Sequence, residues 1–211
     1  MVVVPRGFDL RSVPGMVEEN REWIESAVAE VERRRRIQGS PDAQPDSIEL
    51  RALNEVRRLE WIRLSTRAVR VADDGLHLTI AGPIDDRTAW RDALRRWLVD
   101  IGKQALIPAL EAAAKELGVR VERVSIRCQR TRWGSYTSKP GSHGSVSLNA
   151  QLLFLPEELV RYVMVHELCH AGHPNHSPAF WASVAWHVPD VEACRKQLRG
   201  AWQYVPAWIA A

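Results

Sequence analysis

Cysteine is scarce in this chain of 211 residues, and the three present (Cys128, Cys169, Cys194) are unevenly spaced and odd in number. That excludes a disulfide framework and suits a reducing compartment, with free thiols expected. No apolar run approaches the roughly 18 residues that span a bilayer. Met1-Val2-Val3-Val4 is interrupted by Pro5-Arg6 before a signal-peptide core can form, so the expectation is a cytoplasmic protein without membrane association. There is no internal repeat and no extended low-complexity tract. Lysine is rare, four against 25 arginines, and the net charge is only +3. So small a charge permits nucleic-acid contact without arguing for it, because a binding footprint needs cations clustered on one face.

What is present reads as a folded globular chain, with 45% hydrophobic and 26% charged residues. Residues 2–5 fit a short edge strand. Trp23, Ile24, Ala27, Val28 and Val31 recur at helical spacing within 17–37, predicting an amphipathic helix that ends on Arg33-Arg34-Arg35-Arg36. The proline-bearing segment 40–46 reads as a linker, followed by the alternation of Ile48, Leu50 and Ala52. Val69 and Val71, then Leu78 and Ile80, flank Asp73-Asp74-Gly75 as a β-hairpin. A long helix follows over 86–117, with Pro108 expected to kink or divide it.

Strand patterns over 119–128 and 145–149 enclose a Gly/Ser-rich loop, 135–144, a candidate lid over whatever lies beside it. A helix then starts at Pro156 and stops near Gly172 and Pro174. Ser177-Pro178 opens another, and a last one follows Asp190. This order predicts an α+β fold. The expected organisation is an extension over 1–45, a hairpin and supporting helix over 46–118, and a catalytic part over 119–211, with 46–211 forming one compact domain.

Five of the seven histidines fall between 166 and 187. His166-Glu167-Leu168-Cys169-His170 is an H-E-x-x-H motif on a segment that reads as helix, where four residues bring two imidazoles onto one face. A random chain of this composition would show the motif about 0.02 times. His176 lies six residues beyond, across a helix stop that lets the chain turn back. Three histidines predict one zinc ion, held at about 2.0 to 2.1 Å with its fourth position open. The rival third ligand is a carboxylate such as Glu192. Zinc lowers the pKa of a bound water, Glu167 takes its proton, and hydrolysis of an amide follows. Cys169 reads as a packed thiol, not a nucleophile. His173 is either a solvent-facing residue or a support for a ligand.

These residues, with Arg132-Trp133-Gly134-Ser135, Ser147-Leu148-Asn149, Asn175-His176-Ser177 and Phe180-Trp181, resemble the YgjP-like metallopeptidases, distant relatives of the SprT-like zincins. The resemblance is strongest from about Val119 to Leu198. It implies a zincin fold, the ligands His166, His170 and His176, and a peptide or unfolded protein as substrate. It also implies that an edge strand near the active-site helix pairs with extended substrate, Ser145–Asn149 being the candidate. Trp133, Asn149 and His173 are the candidate substrate contacts, set against roles in packing, capping and ligand support. Tyr136 stands where the family usually has cysteine. Two other classes fit the same residues: a nucleic-acid-associated zinc protein, and a zinc-stabilised interaction module without turnover.

Overall fold

The computed structural model describes residues 13–38, 40, 42–139 and 142–210. The strand expected at 2–5 lies outside them, as do the side chains of Arg33–Arg36. In place of one N-terminal helix there are two, α1 (Val13–Glu19) and α2 (Arg21–Gln38). The break falls at Asn20, whose side-chain amide donates to the Met16 carbonyl at 2.8 Å. The expected apolar stripe does not bury, since Trp23 is 72% exposed.

β1 (Ser47–Leu50) turns Ile48 and Leu50 inward, as their alternation predicts. The alternation stops there. Arg51–Leu53 form a helical turn, and Asn54 adopts a left-handed conformation (φ 54°) that reverses the chain into β2 (Glu55–Arg63). β2 is absent from the sequence reading. β3 (Arg70–Asp73) and β4 (His77–Gly82) form the expected hairpin, its turn closed by Asp74 Oδ1 accepting from the amides of Leu76 and His77. The sheet order is β1-β2-β4-β3, with β2 and β4 parallel.

Against this sheet lies α3 (Arg87–Glu116), begun by Asp86, whose side chain accepts from the Ala89 amide at 3.0 Å. It runs through Pro108 undivided. Trp90, Leu94, Trp97 and Leu98 form its buried stripe, and Trp97 Nε1 donates to Asp73 across the sheet.

A second sheet holds β5 (Val121–Arg127), β6 (Gly134–Thr137) and β7 (Gly144–Asn149) in the order β5-β7-β6. Two expectations change here. Residues 135–137 are strand, so the connecting loop shrinks to 138–143, of which 140 and 141 lie outside the described residues. β7 is the inner strand, parallel to β5 and antiparallel to β6, so the edge belongs to β6 and not to Ser145–Asn149.

α4 (Glu157–Cys169), α5 (Pro178–His187), α6 (Val191–Gly200) and the short α7 (Ala207–Ala210) complete an α+β architecture. Buried residues from Ile48 to Ile209 make one hydrophobic cluster running through both sheets and α3. Among the described residues no helix is long and apolar enough to cross a membrane.

Candidate metal centre and cleft

α4 is buried nearly all round, through Leu159, Val163, Val165 and Leu168. One turn of this rigid support separates His166 from His170, with ring centroids 5.2 Å apart. The helix ends as the amides of Gly172 and His173 bond back to the Cys169 carbonyl. The chain then turns, and His176 Nε2 comes to 3.0 Å from His166 Nε2. One nitrogen from each of the three histidines lies within 4.8 Å of the other two. Glu192 stands outside this group, ion-paired to Arg195 at 2.7 Å.

The surroundings suit neutral imidazoles. Phe180, fully buried and placed by the Ser177 cap of α5, packs on all three rings with centroids 4.6 to 4.9 Å away. His170 Nδ1 donates to the His173 carbonyl at 3.0 Å, which leaves Nε2 with its lone pair for a metal. His173 thus serves through its backbone. Trp181 stacks on His176, and the Arg195 guanidinium lies 4.1 Å from the Trp181 ring. Burial, reinforced by the charges of His170, His176 and Arg195, pushes His166 down to about 4. His176 is lowered too, by burial and then by His170 and Arg195. Unprotonated rings are the metal-binding form, so the donor set fits a zinc ion.

Glu167 sits beside the histidines, 8% exposed. Burial pushes its carboxyl up to about 7, against the opposing pull of the Tyr136 backbone amide and the Arg132 charge. A carboxylate poised there is suited to taking and giving protons near neutrality. β6 approaches it so closely that a Cβ on Gly134 would lie 2.7 Å from Glu167 Cγ and 2.8 Å from Oε1.

The site opens into a cleft of about 470 Å³ walled on one side by Arg132, Tyr136 and Ser138 of the β6 region. Trp133 turns away from it and stacks on Trp202, ring centroids 4.0 Å apart. Asn149 is fully buried. Its Nδ2 donates to the carbonyls of Gln129 and Arg132, and its Oδ1 accepts from the amides of Gln129 and Gln151. It clamps the 129–132 turn, and neither it nor Trp133 lines the cleft. Cys169 is buried against Ser183 with its thiol pKa raised by burial.

The tasks of Gly134, Tyr136 and Phe180 emerge only from the packing around Glu167 and the histidines. Gly134 follows a motif tryptophan, and Phe180 sits three residues after a capping serine, so both had a local signal. Arg195 and the Tyr136 amide had none, since one is remote in sequence and the other is a backbone group.

A family model described as YgjP-like, metallopeptidase domain, matches residues 1–201. No curated protein matches the chain. Among solved structures, the crystal structure of the metallopeptidase zymogen of Pyrococcus abyssi abylysin aligns with 46% of this chain and 94% of its own, at 26% identity and a TM-score of 0.39.

Proposed function

The chain belongs to the YgjP-like metallopeptidase family and is a protease, and from that premise we propose that it hydrolyses peptide bonds of extended or unfolded polypeptide with one zinc ion held by His166, His170 and His176. Bound zinc supplies a Lewis acid that polarises the scissile carbonyl and acidifies water. Glu167 takes the proton of the attacking water and delivers it to the departing amide nitrogen. Its burial and the Tyr136 amide hold the carboxylate in place for that transfer. The His173 carbonyl keeps His170 in the tautomer that presents Nε2. β6, unpaired on its outer side among the described strands, takes over the substrate-pairing role first expected of β7.

The single observation that carries this reading is the convergence of the three histidine nitrogens next to a buried carboxylate of raised pKa. Metal analysis with a casein-type assay tests it. Wild type should bind one zinc and cleave, Glu167→Gln should keep zinc and lose cleavage, and His170→Ala should lose both. Cleavage by pure Glu167→Gln protein would refute the assigned base, and zinc retained at full occupancy by His170→Ala would refute the ligand set.

A further inference from the structure

The charges along the β6 edge speak to substrate class, an inference that rests on the peptidase reading above. Among the described residues, Arg132 is the one charged side chain lining the cleft apart from the histidines and Glu167. It is exposed, and no described carboxylate lies within ion-pair distance of it. Its backbone is held on the C-terminal side: its carbonyl accepts from Asn149 Nδ2 at 2.9 Å, and the following residue, Trp133, is pinned by stacking on Trp202. Its charge reaches Glu167 without forming an ion pair, so the guanidinium remains open to a substrate carboxylate, which it can grip with two parallel hydrogen bonds.

The other end of β6 is also basic. Ser138 lines both the catalytic cleft and an adjoining hollow of about 400 Å³ that holds Arg123, Lys139 and His143, with Glu122 its one acid. An extended chain covers the seven steps from Arg132 to Lys139 in about 23 Å. A substrate strand laid along the outer edge of β6 therefore passes Arg132 before the strand and Lys139 after it, while Arg123, on β5 beyond β7, lies away from that edge. Main-chain pairing reads no side chains, so selection falls to these two positions.

We propose that this peptidase selects acidic polypeptide segments, with an Asp or Glu side chain of the extended substrate seated on Arg132 and further acidic residues directed toward Lys139. The test uses the zinc-loaded full chain and pairs of peptides blocked at both ends, one rich in Asp and Glu around the cleaved bond, the other its Asn and Gln counterpart. Wild type should favour the acidic peptide about tenfold in kcat/KM, chiefly through KM, and the preference should shrink as salt is raised from about 0.05 to 0.5 M. Arg132→Gln should bring the ratio close to one, and Lys139→Gln should lower it less. The ratio is the readout because the Arg132 charge also acts on Glu167. Should Arg132→Gln fail to fold, the wild-type ratio, its salt dependence and Lys139→Gln decide the matter.

Equal cleavage of the two peptides by wild type, or an unchanged ratio in folded Arg132→Gln, overturns the proposal while leaving the peptidase reading intact. So does cleavage confined to peptides with a free C-terminus, which would assign Arg132 to the chain-end carboxylate. Cleavage of neither peptide, blocked or free, refutes the peptidase reading and the proposal with it.

Discussion

Replacing Gly134 by alanine should disable the enzyme while sparing its fold and its metal site. The added Cβ would stand 2.7 Å from Glu167 Cγ and 2.8 Å from Oε1, where ordinary contact begins at 3.4 Å. Something must yield by about 0.7 Å. The neighbouring atoms belong to a side chain, which moves more easily than β6 does, paired as it is to β7. The strain should therefore be relieved by displacing the carboxylate, at a stability cost within about 1 to 3 kcal/mol. Activity is far less tolerant, because a misplacement near 1 Å at the reacting group costs about 100-fold. The expected result is a kcat lowered about 100-fold, zinc content unchanged, and a melting temperature within several degrees of wild type. Serine should behave like alanine. Wild-type kcat in a zinc-loaded Gly134→Ala protein would show that Glu167 does not act from the position seen here, and the assignment of its role through this geometry would fall.

Asn149→Ala should destabilise the chain by about 2 to 4 kcal/mol in urea titrations, since it removes a fully buried side chain that makes four hydrogen bonds to the 129–132 turn and Gln151; a loss under 1 kcal/mol would contradict its role as a clamp. In the metal-free protein two pH dependences should oppose each other. Glu167, pushed from 4.5 to about 7, removes stability as pH rises through that window. His166, pushed from 6.5 to about 4, removes it as pH falls from 6.5. Each slope is about 1.4 kcal/mol per pH unit, so these two should largely offset each other between 4.5 and 6.5, with the lowered His176 adding a smaller loss on acidification. Glu167→Gln should uncover the histidine slope, and its metal-free form should lose stability on acidification more steeply than wild type. Equal profiles for the two proteins would count against the burial of one group or the other.

The elements that were legible in the sequence are those whose signal is local. α4 shows its period and its motif together, the β3/β4 hairpin is announced by Asp74-Gly75, and α3 by the Asp86 cap. β2 escaped because its pattern is broken by Arg57, which is buried in spite of its charge through contacts with Asp73 at 2.9 Å and Glu55 at 2.7 Å. β6 escaped because Gly-Ser-Tyr-Thr carries no apolar alternation, and its strand conformation comes from pairing with β7. Which of the two strands forms the edge is a matter of topology. The parallel pairing of β5 with β7 settles it, and nothing in either strand's own residues encodes that choice. The same divide runs through the site: its ligands lie close together in sequence, whereas the environment of the base is assembled from β6 and the 129–132 turn.

Tyr136 shows how this assembly accommodates a bulky side chain beside the base. In the sheet Tyr136 pairs with Val146, which makes Gly144 its diagonal neighbour on the same face. The phenol ring lies across Gly144, and a Cβ there would collide with Cζ and the hydroxyl oxygen. The large residue at 136 and the glycine at 144 are thus one steric feature, the ring occupying space that another side chain on β7 would fill. The contact of position 136 with the base is of another kind, because it runs through the backbone amide to the Glu167 carboxylate. Every residue except proline offers that amide. Replacing Tyr136 by any residue but proline should therefore reshape the wall of the cleft while leaving intact the hydrogen bond that steadies the base.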